Sequence, residues 1–243
     1  LILFMLTAGL FVFGSRSCGN GWNFGFGGVR GEGPVKTENR SVGDFHAIEA
    51  QIPGIIEVRI SDVYQVDVQS QGNLLPIIKT EVKNGTLRIY TDKNIWSAEN
   101  LVIRVSAPSF DALALAGSGN IKVLSTLNGE KLKLSIAGSG EIDLPKASVD
   151  RLTSDIAGSG DITVGGRAQN VSFNIAGSGD IHAQELVADE GKAEIAGSGT
   201  VNCQVNQRLK VAIAGSGDVY YSGSPQVDTD ISGSGSVKRS EEQ

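Results

Sequence analysis

The chain has 243 residues, among them 32 Gly, 6 Pro and 2 Cys, with a net charge of -6 and an isoelectric point near 5.0. Its acidic residues are dispersed and no Lys/Arg stripe could neutralise a phosphate backbone, which excludes nucleic acid as a partner. Short alternating runs of Val, Ile and Leu joined by Gly exclude a helical protein and predict many short strands.

Leu1 to Phe13 is almost wholly apolar, enough for the core of an export signal and short of the ~20 residues that span a bilayer. Residues 1–18 are read as that signal. Cys18 follows Ser15-Arg16-Ser17, the place where a bacterial lipoprotein is cleaved and acylated. Ser17 fits that use, whereas Ser15 and Arg16 depart from the usual pattern. Two readings stay open: a lipid anchor to the membrane through Cys18, and plain secretory cleavage nearby.

Gly19 to Gly33 holds seven Gly in fifteen residues, too much backbone freedom to fold by itself. Residues 19–41 are read as a tether, with Trp22, Phe24 and Phe26 docking on the domain that follows.

Residues 42–109 read as diverged N-terminal turns of a single domain that runs to 237, with single-copy sequence from Val63 to Val105. Phe45 to Ala50 and Ile56 to Val58 lie over Phe110 to Leu115 and Ile121 to Val123 without a gap, so they form a diverged first turn suited to capping, with Pro53-Gly54 at its corner. Val63 to Val68 alternates as a strand. Leu74 to Val82 reads as a short helix or a loop. Glu81 to Lys83 and Thr86 to Tyr90 flank Asn84-Gly85, the dipeptide best suited to a two-residue hairpin turn. Leu101 to Val105 is a further strand, ended by Pro108.

Residues 110–237 repeat. The tetrapeptide AGSG starts at Ala116, Ala137, Ala157, Ala176, Ala196 and Ala214, and Ser232-Gly233-Ser234-Gly235 is a seventh copy, at spacings of 21, 20, 19, 20, 18 and 18. An apolar residue precedes each copy, from Leu115 to Ile231, and another stands two places after it, from Ile121 to Val237. Alternation on both sides of a Gly-Ser-Gly corner means strand, bend, strand. No repeat can bury its apolar face alone, so the units stack with equivalent strands parallel, about 4.8 Å apart. The fold class is all-β, a parallel β-helix or β-solenoid of two or three sides. About 19 residues per turn at ~3.3 Å each give a perimeter near 60 Å.

The corner glycines Gly117, Gly119, Gly138, Gly140, Gly158, Gly160, Gly177, Gly179, Gly197, Gly199, Gly215, Gly217, Gly233 and Gly235 are expected where positive φ or close backbone approach is needed. The variable stretches Lys146 to Arg151 and Val187 to Lys192 read as edge loops, with Asn128-Gly129 and Gly165-Gly166 as turn signals. Lys238 to Glu242, within a charged tail at 238–243, would blunt the open strand edge.

Catalysis needs a nucleophile with a base, convergent carboxylates, or metal ligands. Ser118, Ser139, Ser159, Ser178, Ser198, Ser216 and Ser234 form a ladder, and sevenfold recurrence argues for structure, each serine bonding the corner backbone of its neighbour. His46 and His182 are read as outward strand residues, and His182 has no Cys or His at a ligand-like spacing. Glu141, Asp161 and Asp180 stack one above another, the one arrangement that could take a hard cation such as Ca²⁺. Cys203 alternates with Val201 and Val205 as a small buried hydrophobe. Neither a catalytic residue nor a cofactor is expected.

A Phe-led strand, a hairpin ending Gly85-Thr86-Leu87-Arg88-Ile89, the segment Ala107-Pro108-Ser109-Phe110 and then repeated Gly-Ser-Gly-x-Ile units together resemble the putative autotransporter adhesin family, head GIN domain, over about Val42 to Val237. The resemblance implies an exported β-helix-like domain of the surface or periplasm of Bacteroidetes, and it brings neither a ligand nor catalytic residues. The expected function is a non-enzymatic, adhesin-like binding or structural module of the cell envelope, on an outer-membrane or surface lipoprotein or in the periplasm. Its partner would be a protein or glycan, or a second copy of the chain. The alternatives are a periplasmic scaffold or sensor component and a carbohydrate-active β-helix enzyme, with Tyr220-Tyr221 as sugar platform.

Overall fold

A computed structural model describes residues 28–240, so the segment read as an export signal, Cys18, and Trp22, Phe24 and Phe26 of the Gly-rich segment lie outside the described residues. The domain is a parallel β-solenoid capped at one end by antiparallel strands.

Among the described residues strand pairing begins at Val29, inside the stretch that composition reads as tether. Strand β1 (Val29–Arg30) pairs with a strand some sixty-five residues downstream, and β2 (Val35–Arg40) is the outermost strand of the cap. The first turn follows as β3 (Ala47–Gln51) and β4 (Ile55–Ile60), then β5 (Gln65–Gln71) turns back antiparallel. Leu75–Ile77 is a 3-10 turn, and β6 (Ile78–Lys83) and β7 (Thr86–Thr91) form the hairpin, with positive φ at both Asn84 and Gly85. Short β8 (Ile95–Ser97) is the partner of β1, and β9 (Val102–Ala107) completes a second turn with β7.

Stacking order departs from chain order here. The turn β3–β4 pairs on one side with β7–β9 and on the other with β10 (Ala112–Gly117) and β11 (Asn120–Val123). The chain therefore lays its second turn beneath its first, then passes the first again to continue above it. The diverged turn is not the cap. That role belongs to the antiparallel strands β2, β5 and β6.

Above β10 and β11 the turns are regular: β12 (Leu127–Gly138), β13 (Glu141–Gly158), β14 (Asp161–Gly177), β15 (Asp180–Gly197) and β16 (Thr200–Gly215), followed by β17 (Asp218–Ser222), β18 (Gln226–Gly233) and β19 (Ser236–Arg239). Lys238 and Arg239 are thus strand residues, paired with Tyr220 and Tyr221.

Within a turn the buried positions step by two, but the phase slips twice. In β13 they are Ile142 and Leu144, then Ala147 and Val149, then Leu152, Ser154 and Ile156. Two slips and the Gly-Ser-Gly corner make three bends, hence three sides. The stretches expected as edge loops are the second side, paired from turn to turn as in Ser148 with Arg167 and Arg167 with Val187. Irregularities at Leu144/Ala147, Thr163/Gly166 and Ala183/Val187 absorb the differences in repeat length.

Each corner rests on the one below. The Ser139, Ser159, Ser178, Ser198, Ser216 and Ser234 amides donate to the glycine carbonyl of the preceding corner at 2.8–2.9 Å, while the serine side chains point to solvent. The first glycine of each corner has φ between 100° and 141°. From Gly140 upward, a Cβ on the second glycine would meet both the carbonyl below and a core Leu or Ile methyl within 3.0 Å, as at Gly179, and at Gly119 it would meet the Ile52 carbonyl. Glycine is therefore required twice per corner.

Candidate functional site

The first side after each corner carries the outward column Asn120, Glu141, Asp161, Asp180, Thr200, Asp218 and Ser236. Most of these side chains stitch adjacent turns. Asn120 Nδ2 donates to Glu141 Oε2 at 3.3 Å, the Thr200 amide donates to Asp180 Oδ1 at 2.8 Å, and Ser236 donates to Asp218 Oδ1 through its amide at 3.0 Å and its hydroxyl at 2.6 Å.

Asp161 and Asp180 meet His182, the next outward residue along β15, with one ligand atom of each within 4.8 Å of the others. Glu141, Asp161 and Asp180 stand in register as the ladder requires, and His182 comes close to its upper two members. Sequence spacing hid the contact because Asp161 and His182 sit on different turns. Among the described residues these three are the set that could face a cation, although Asp180 already spends one oxygen on the Thr200 amide.

His46 lies just ahead of β3, half exposed, with Nδ1 2.9 Å from Asp111 Oδ2. The Asp111 amide donates to the His46 carbonyl, and the His46 amide donates to Gly85 O. This histidine joins three levels of the stack: the hairpin, the first turn and the first Gly-Ser-Gly turn.

Two open concavities lie on the second side. One, of about 360 Å³, is polar and shallow, with Ser148, Asp150, Arg167, Gln169, Asp189 and Asn206 among its walls. The other, of about 580 Å³, is a notch where Gly165-Gly166 interrupts the row of side chains between Pro145-Lys146 and Glu185. A Cβ at Gly166 would overlap the Ala147 carbonyl, so the notch follows from tight turn-to-turn packing. Reading this side as loop concealed both, and the Gly165-Gly166 pair was their one visible sign.

Cys203 is a buried free thiol between Ala183 and Tyr221, and burial pushes its pKa up to about 12. It is a core residue. Among the described residues no helix is long and apolar enough to cross a membrane.

The profile of a family described as "putative auto-transporter adhesin, head GIN domain" matches residues 44–225, three quarters of the chain. The chain belongs to that family. No curated protein matches it. Among solved structures, a putative adhesin from Bacteroides fragilis superposes with a TM-score of 0.81 at 24% identity, covering 87% of this chain and 100% of that one, a likeness of fold. A putative lipid binding protein from Parabacteroides distasonis gives 0.73 at 27% identity over 88% and 99% of the two chains. A putative adhesin from the same organism gives 0.71 at 26% identity over 87% and 99%. The head GIN domain described here is thus an adhesin-like module.

Proposed function

We propose that this head GIN domain is a non-enzymatic, exported adhesin that binds a protein or glycan over an extended outer face at the bacterial cell envelope. The observation behind it is the combination of a uniform interior with non-uniform outer sides. Inward columns such as Ile142, Ile162, Ile181 and Val201 are fully buried and nearly identical from turn to turn. Outward residues at equivalent places change freely, as in Lys133, Thr153, Ser172, Lys192, Lys210 and Asp228. Such a scaffold holds a single-copy pattern of charge and hydroxyl groups rigidly over many turns, which suits broad recognition at little entropic cost.

Two features support a role without catalysis. The corner serines sit in equivalent exposed settings, and both concavities are open. A lipid, the ligand class named for one relative, would have to lie outside, because aliphatic side chains fill the interior.

The test is protease accessibility on intact cells carrying an epitope at the C-terminus, paired with cell binding to immobilised glycans and matrix proteins. Loss of the epitope from whole cells, with binding that disappears on the same treatment, supports the adhesin. Protection until the outer membrane is opened places the domain in the periplasm and overturns it.

A further inference from the structure

The two ends of the solenoid differ. The N-terminal end is closed by β2, β5 and β6. At the other end, among the described residues, β18 and β19 pair only downward, with β16 and β17. The inward column Leu115, Ile136, Ile156, Ile175, Ile195, Ile213 is at most 2% exposed, yet its last member, Ile231, is 40% exposed. Among the described residues nothing covers an apolar rung that is core in every other turn, nor the row of backbone groups beside it.

Which groups are free follows from the bonds below. The Ser234, Ser236 and Ser240 amides donate to the turn beneath, and alternate residues of a parallel strand bond to opposite sides. The main-chain groups of Thr229, Ile231, Val237 and Arg239 therefore face away from the stack.

We infer that this open end pairs with the same end of a second copy, about a two-fold axis through the Ser234 corner. Such an axis exchanges the side carrying β18 with the side carrying β19, so β19 of the second copy lies antiparallel over β18. Residues equally distant from Ser234 then face each other. Ile231 meets Val237 and Thr229 meets Arg239, each pair with outward-facing backbone groups on both strands, as an antiparallel hydrogen-bonded pair requires. Between them Asp230 meets Lys238, both exposed and both on the outer face, as their register with Ala212 and Tyr220 shows. Lys238 Nζ lies 6.0 Å from the Tyr220 ring centroid below, where it can reach upward.

Parity, apolar contact and charge thus agree on one register, and the symmetry supplies each contact twice. The second side of the last turn, Gly223-Ser224-Pro225, is not strand and takes no part in the pairing. Because the opposite end is capped, assembly stops at two. Gly28 lies at the capped end near β5 and β8, so the Gly28 residues of the two copies stand at opposite ends of the pair, as joining two facing surfaces requires. The pairing rests on the fold alone, and only its use between cells rests on the proposed adhesin function.

Sedimentation of the full chain in mild detergent tests it. The expected species is a dimer. Asp230→Lys sets Lys against Lys twice and Lys238→Asp sets Asp against Asp twice, so each variant alone should be monomeric. An equimolar mixture of the two should recover a one-to-one dimer, which a misfolded variant could not do. Oxidised Asp230→Cys/Lys238→Cys should run as a covalent dimer, since the two positions stand on different sides of one chain. A monomeric wild type at every concentration, a dimer indifferent to both charge reversals, a mixture that stays monomeric, or a species larger than two overturns the inference. Amide protection at Val237 in a monomer would show instead that another segment of the chain covers the end.

Discussion

The carbonyl oxygen of Gly158 occupies the space into which a Cβ on Gly177 would project. The same overlap recurs up the corner stack, but Gly117, whose neighbour below belongs to the diverged turn, has open space at that point. Both residues have positive φ. Gly117→Ala should therefore cost only backbone strain, about 1–3 kcal/mol. Gly177→Ala adds a main-chain collision that must spread the corner, and should cost distinctly more. Urea melts of the two variants check this, and equal losses would show that conformation alone, not stacking, selects these glycines.

Core columns predict a second contrast. Leu134, Ser154, Phe173 and Ala193 stand over one another in register, so the large ring is accommodated by small residues above and below. Phe173 is buried, and the buried Ser154 Oγ has no hydrogen-bond partner. Phe173→Ala should lose about 3–5 kcal/mol. Ser154→Ala removes an unpaired hydroxyl while keeping the space Phe173 needs, and should be neutral or slightly stabilising. A loss of stability in Ser154→Ala would mean that the hydroxyl is bonded.

Parts of this arrangement were legible in the chain. Ile48 lies beside Leu113, and Ile56 beside Ile121, as the ungapped alignment of the two segments requires, because inward columns tolerate little besides aliphatics. The third side was not legible, since the slips after Leu144 and Val149 break the period-two pattern by which strands are recognised. Nor was the reversal after Ile60, which places the β7–β9 turn below β3–β4. Nothing local near Ser61 announces it; only long-range pairing decides. At the candidate site, the Asp161 to His182 contact joins residues one turn apart, and contacts across turns appear only once the register is known.

Asp161, Asp180 and His182 invite a test with chelator. Stacked exposed carboxylates repel by only about 1 kcal/mol in water, and Asp180 is held by the Thr200 amide. The group is therefore stable without an ion, and dialysis against EDTA should leave the thermal midpoint unchanged. A fall that added Ca²⁺ or Zn²⁺ restores would establish a cation there.

Cys203 gives the fold an alkaline limit. Burial raises its pKa from 9.0 to about 12, so the folded state holds the thiol proton more tightly than the unfolded chain does. The stabilisation is complete below pH 9 and is lost as pH climbs from 9 towards 12. Native protein at pH 8 should resist thiol reagents at this residue and react once unfolded. Cys203→Ala should flatten the alkaline decline in stability, and an unchanged decline would assign it to other groups.

The strand β2 distinguishes a cap from a tether. Five of its six residues are exposed and it adds little core, so by burial it looks dispensable. Its backbone, however, is paired along β5 from Val35–Gln71 to Arg40–Val66, and without it β5 would present an unpaired edge beside the buried Val66 and Val68. Lys36, Glu38 and Arg40 also place charges along the outermost strand, which discourages further pairing. Deleting Val35–Arg40 should lower the thermal midpoint and produce concentration-dependent aggregation. If the β2 deletion melts and scatters light like the parent, the strand is a tether that happens to rest on the sheet, and β5 alone closes the solenoid.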